Sequence, residues 1–120
     1  MRLSLPAPAA TALALALALG LGQPARADLV IDGRAAQALH CSALLYMVAD
    51  ELYHAGYLGR SDYNAAQQAA VRMLAYVPGT NDQKAQAMRQ RFEKLMRSRS
   101  LPQLFDEFDK TAPWCRKTFL

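Results

Sequence analysis

Cysteine and histidine are scarce in this chain, two of each among 120 residues, and their placement excludes most of the chemistry they carry elsewhere. Cys41 and Cys115 stand 74 positions apart, which rules out a CxxC redox pair, a CxxCH haem attachment and a paired zinc-ligand motif. His40 and His54 fall within one helical pattern, about 21 Å apart along its axis, and cannot share an ion. Ser42, Ser61, Ser98 and Ser100 read as helix-surface and cap positions, with no base and orienting group converging on any of them. Beyond residue 27 there is no second long apolar run, no extended strand-like alternation, no repeat, no low-complexity tract and no interdomain linker. What remains is one small helical domain.

What is present begins with a leader. Arg2 supplies a positive start, and an apolar run follows from Ala9 to Leu21, interrupted only by Thr11 and Gly20. Thirteen residues are too few to span a hydrocarbon core, which needs about twenty. Gln23 and Pro24 end the run, and Ala25-Arg26-Ala27 offers the small-x-small pattern of a signal-peptidase site. Residues 1–27 therefore read as a cleaved signal peptide, with the cut between Ala27 and Asp28, and residues 28–120 as the exported domain. The expected location is the periplasm or the secreted medium. No twin-arginine pair is present, and no cysteine sits at the cleavage point to carry a lipid. Removing the leader leaves twelve of the fourteen basic residues against all ten acidic ones, a net charge of about +2. That charge, with no groove-reading motif, argues against a nucleic-acid partner.

In an oxidising compartment an even cysteine count implies a bridge, here Cys41–Cys115. Four helical patterns separate at short turns. The first runs from about Gly33 to Ala55, with Gly56 suited to the left-handed stop. Its main stripe holds Cys41, Leu44, Leu45, Val48 and Leu52, all expected to be buried. The second follows Ser61, a good N-cap, and runs to about Val77, where Pro78-Gly79 ends it. Ala66, Ala69 and Ala70 on its inner face suit close approach to a neighbour. The third opens with the capping-box pattern Thr80-Asn81-Asp82-Gln83 and carries Ala85, Met88, Phe92, Leu95 and Met96 on one face. The fourth opens with Ser100-Leu101-Pro102-Gln103; Pro113 should kink or interrupt it, unless Thr111 caps a separate terminal helix. Short turns make neighbours antiparallel, giving an all-α, up-down-up-down bundle of about four helices. Cys41 early in the first helix and Cys115 late in the fourth then share one end, which agrees with the bridge.

No motif is specific enough to assign a chemistry. Glu51-Leu52-Tyr53-His54 has the Glu-x-x-His spacing of di-iron bundles, but that site needs two such motifs and further carboxylates. No metal or other cofactor is expected. Basic residues on the third helix (Lys84, Arg89, Arg91, Lys94, Arg97, with Arg99) spread around its non-core arc as a solvated face does. Weak contact with an anionic surface is the functional alternative there. A second stripe on the first helix, Leu39, Tyr46 and Tyr53 with Tyr57 close by, widens its apolar arc beyond one bundle face. Either the helix is central and buried on several sides, or Tyr46, Tyr53 and Tyr57 face outward as a docking surface.

The leading expectation is a non-enzymatic, exported helical binding or interaction module with a protein or peptide partner. An envelope stress or holdase protein is the second reading. A small metal protein or enzyme built on His54, Asp50 and Glu51 is the third. Export makes a direct prediction: the chain recovered from the cell envelope should have the intact mass of a protein beginning at Asp28, and a membrane-bound species retaining Met1 would overturn it.

Overall fold

The computed structural model describes residues 30–120; the leader and the Ala27–Asp28 cleavage position lie outside the described residues. Among the described residues four α-helices follow one another without strands: α1 (Gly33–His54), α2 (Arg60–Met73), α3 (Asn81–Ser98) and α4 (Leu101–Phe119). A 3₁₀ turn, Leu74–Tyr76, ends the α2 segment. The fold is the expected all-α, up-down-up-down bundle tied by one disulfide.

Local chemistry sets the boundaries. Gly56 takes φ +85°, and α1 closes with two reversed hydrogen bonds, Gly56 N–H to the Tyr53 carbonyl (3.0 Å) and Tyr57 N–H to that of Leu52 (2.8 Å). This paired arrangement satisfies carbonyls that a helix end leaves unpaired, and glycine reaches the left-handed conformation without steric cost. Thr80 and Gln83 form a reciprocal capping box at α3, and Ser100 and Gln103 form another at α4. The start of α2 departs from expectation. Gly59 is its N-cap, with Tyr63 N–H bonded to the Gly59 carbonyl, and Ser61 lies exposed inside the first turn without a capping bond.

α4 also departs from expectation, running unbroken through Pro113. Proline removes the N–H that the Asp109 carbonyl would accept, but both residues are exposed, so water can reach that carbonyl. Thr111 starts no new helix. Its hydroxyl donates to the Glu107 carbonyl one turn back, 2.8 Å away.

α1 is the centre of the molecule. It packs against α2, α4 and α3, most extensively against α2, while those three touch one another little. Its buried residues (Ala38, Leu39, Cys41, Ser42, Leu44 and Val48 among them) fall on all sides, as expected of a helix surrounded by partners. The main stripe meets α4 through Cys41 and Cys115, whose Cα atoms are 5.7 Å apart, inside bridging range. The second stripe faces α2 and α3. Leu39 is buried, Tyr46 stacks on Phe92 at 5.5 Å, and Tyr53 stacks on Tyr63 at 4.2 Å.

Small residues on α1 allow α2 to come close. Ser42, expected at the surface, is instead fully buried and donates its hydroxyl to the Ala70 carbonyl at 2.7 Å. A buried hydroxyl is costly without a partner, and this contact supplies one. At the disulfide end, Phe119 is buried between Tyr76 (4.9 Å) and Trp114 (5.7 Å), with Arg34 over its ring at 5.5 Å. That cluster joins the last turn of α4 to the first turn of α1.

Four further positions need correcting. Leu45 and Leu52 are only half-buried, and on α3 Ala85 and Met96 are exposed. α3 has essentially one neighbour, so a narrow stripe of Met88, Phe92 and Leu95 suffices to cover its contact. Leu45 stays partly open because it faces a gap between α2 and α4.

Closing a 74-residue loop should remove about 4 kcal/mol of unfolded-state entropy from a domain this small. Cys41→Ser should therefore lower the thermal midpoint substantially, and both thiols of the parent should resist alkylation until reductant is added. Ready labelling of both cysteines in the folded parent would contradict the bridge.

Candidate functional site

An apolar concave feature follows from the way three helices share α1. α2 and α4 both lie against α1 but scarcely meet, leaving an open groove of about 450 Å³. α1 forms its floor with Cys41, Leu44 and Leu45. Ala65, Ala66, Ala69 and Met73 make the α2 wall, and Phe108, Ala112 and Cys115 line the α4 wall. The alanines of α2 thus divide by role. Ala70 is buried against α1 where the helices approach closely, whereas Ala65, Ala66 and Ala69 hold the groove open by being small.

Among the described residues only two polar side chains line this groove, Thr111 and Arg116. The Thr111 hydroxyl is already engaged with the Glu107 carbonyl. The exposed Arg116 guanidinium forms no ion pair among the described residues. A second depression of about 220 Å³ opens between α3 and α4, with Met47, Val48, Leu104 and Phe105 on its walls and Glu51 and Arg99 at its edge.

Two polar networks tie helices to α1. In the first, His40 Nε2 lies 2.5 Å from Glu107 Oε2, and Arg99 Nε donates to Glu107 Oε1. Glu107 thereby joins α1, the α3–α4 turn and α4. Partial burial alone would raise its carboxyl; the hydrogen bonds from His40 and Arg99 outweigh that and hold it below the ordinary value. In the second, Gln67 donates to the Tyr63 hydroxyl, which donates to Asp50 Oδ1, both at 2.8 Å. The bond to Asp50 stabilises the neutral phenol and pushes Tyr63 up to about 12.

These contacts account for the polar residues singled out in the sequence. Asp50 serves Tyr63, and His54 Nδ1 lies 2.8 Å from its own helix's Asp50 carbonyl. His54 and Asp50 do meet, Nδ1 lying 3.5 Å from Oδ1, but Glu51 is exposed on another side, so the three do not converge. Among the described residues no group of three or more His, Cys, Asp or Glu side chains is placed to hold a metal ion. Tyr46 and Tyr53 are half-buried ring partners between helices, while Tyr57, just past the α1 stop, is 82% exposed. The three tyrosines do not form one continuous outward patch. On α3, the adjoining Arg99 pairs with Glu107; Lys84, Arg89, Arg91, Lys94 and Arg97 make no ion pair among the described residues.

The groove and the His40–Glu107 contact were not read from the sequence. Pairing of the basic third-helix residues and Arg99 with Asp106, Glu107 and Asp109 was, and Arg99–Glu107 is such a pair. The available signal for the groove was the run of alanines on α2, which suits an open wall as well as a tight contact. His40 and Glu107 are 67 positions apart, and no spacing rule joins them. No protein family, curated protein or solved structure matches the chain.

Glu107 gives a pH prediction with a definite sign. Its folded carboxyl titrates below the ordinary 4.5, so its pairing stabilises the fold above that value and is lost as pH falls through the lower folded one. Between pH 6 and pH 3 the thermal midpoint of the parent should fall more steeply than that of Glu107→Gln. Parallel curves would show that the pairing contributes nothing to stability.

Proposed function

We propose that this chain is a non-catalytic, exported binding module whose working surface is the apolar groove between α2 and α4. The groove is the observation that carries the reading. Its size falls within the range of small-molecule sites, and its lining is apolar with few polar groups, as such sites usually are. The polar clusters elsewhere are engaged in holding helices together, which supports binding over catalysis. The Cys41–Cys115 bridge points to a non-reducing environment, in keeping with the leader-like N-terminus. Among the described residues no helix is long and apolar enough to cross a membrane.

A neutral, environment-sensitive dye such as Nile red tests this reading on the oxidised protein. It should bind saturably at one site per chain. The double substitution Ala66→Leu with Ala69→Leu should fill the groove and weaken dye binding at least tenfold, while leaving the thermal midpoint unchanged or higher because both residues border open space. Absence of saturable binding, or binding unaffected by the filled groove, would overturn the proposal.

A further inference from the structure

Resting on that reading, we infer that the ligand is a medium-chain fatty acid carried as its carboxylate, with the chain along the groove and the head on Arg116. Shape selects the chain. The wall positions Ala65 to Met73 on α2 and Phe108 to Leu120 on α4 span roughly 12–18 Å at 1.5 Å per residue. Spreading about 450 Å³ over that length gives a long, narrow groove of about 25–40 Å² in section. A single polymethylene chain fits that section.

Charge selects the head. Among the described residues no Asp or Glu side chain lines the groove, and Arg116 is the only cation there. Among the described residues Arg116 makes no ion pair, so its guanidinium can take a carboxylate in the bidentate geometry that arginine favours. Arg116 lies near the disulfide end of the lining, next to Cys115 and one turn before Leu120. A head held there lets the acyl chain run toward Ala65 and Phe108 over the apolar floor. The absence of any other unengaged polar lining group disfavours a ligand with polar groups along its length.

Displacement of the bound dye by octanoate, decanoate and dodecanoate at pH 8, all below micelle-forming concentrations, tests the assignment, with dodecanol as the uncharged control. Dodecanoate should displace the dye at one equivalent, and affinity should rise about threefold to fourfold per added methylene. Arg116→Gln should weaken dodecanoate about threefold to tenfold and leave dodecanol unchanged. Equal weakening of both ligands, or of neither, would overturn the role given to Arg116. Dye binding that dodecanoate fails to displace would overturn the fatty-acid assignment while leaving the binding-module reading intact, and displacement by an apolar helical peptide in its place would assign the groove to a protein. Failure of the dye itself to bind would remove both.

Discussion

Everything in this molecule is arranged around one helix that packs against each of the other three and buries residues on several sides. A helix so placed must present a different surface to each neighbour, and α1 does so in strips. Alanines and Ser42 let α2 approach closely, aromatic rings meet α3 and the lower part of α2, and Cys41 with its leucine and valine neighbours meets α4. The remaining helices then need only one apolar face each. α3 is the extreme case, with a narrow stripe inward and a cationic arc outward.

A central helix with three neighbours leaves gaps. In a closed four-helix bundle every helix touches two others, and inward side chains fill the space between them. Here the outer helices are attached to α1 one by one. α2 is held by the Ser42–Ala70 and Tyr63–Asp50 hydrogen bonds; α4 is held by the disulfide, the His40–Glu107 contact and the Phe119 aromatic cluster. Among these anchors only the Tyr76–Phe119 ring contact, at the disulfide end, links the α2 segment to α4; the others each join an outer helix to α1. The gap persists as a groove without requiring a ligand to hold it open.

Much of this arrangement was legible in the sequence where the signal is local. The reciprocal caps at Thr80 and Ser100, the stop at Gly56 and the placement of Cys41 and Cys115 each rest on a few neighbouring residues or on helix count. What failed was decided by tertiary context. Ser61 is a good cap by type but lost to Gly59, one residue outside the turn, and Pro113 is a helix breaker by rule but sits on an exposed face where its missing N–H costs less. Ser42 resembled any surface serine until α2 placed a carbonyl above it.

The groove was illegible for a deeper reason. Periodicity tells which residues face inward, and Ala66, Ala69 and Leu45 do face the bundle interior, but it cannot tell whether a neighbour fills the space they face. An alanine in a tight helix contact and an alanine beside an empty slot leave the same mark in a sequence. The structure separates them through Ala70, whose carbonyl receives Ser42, and Ala69, which lines open space one residue away. Adjacent positions on a helix point about 100° apart, so one turns toward the centre of α1 and the other toward α4. That single step around α2 divides the packing surface from the proposed binding surface. It also explains why enlarging Ala69 fills a cavity, whereas enlarging Ala70 would press α2 away from the helix that holds the molecule together.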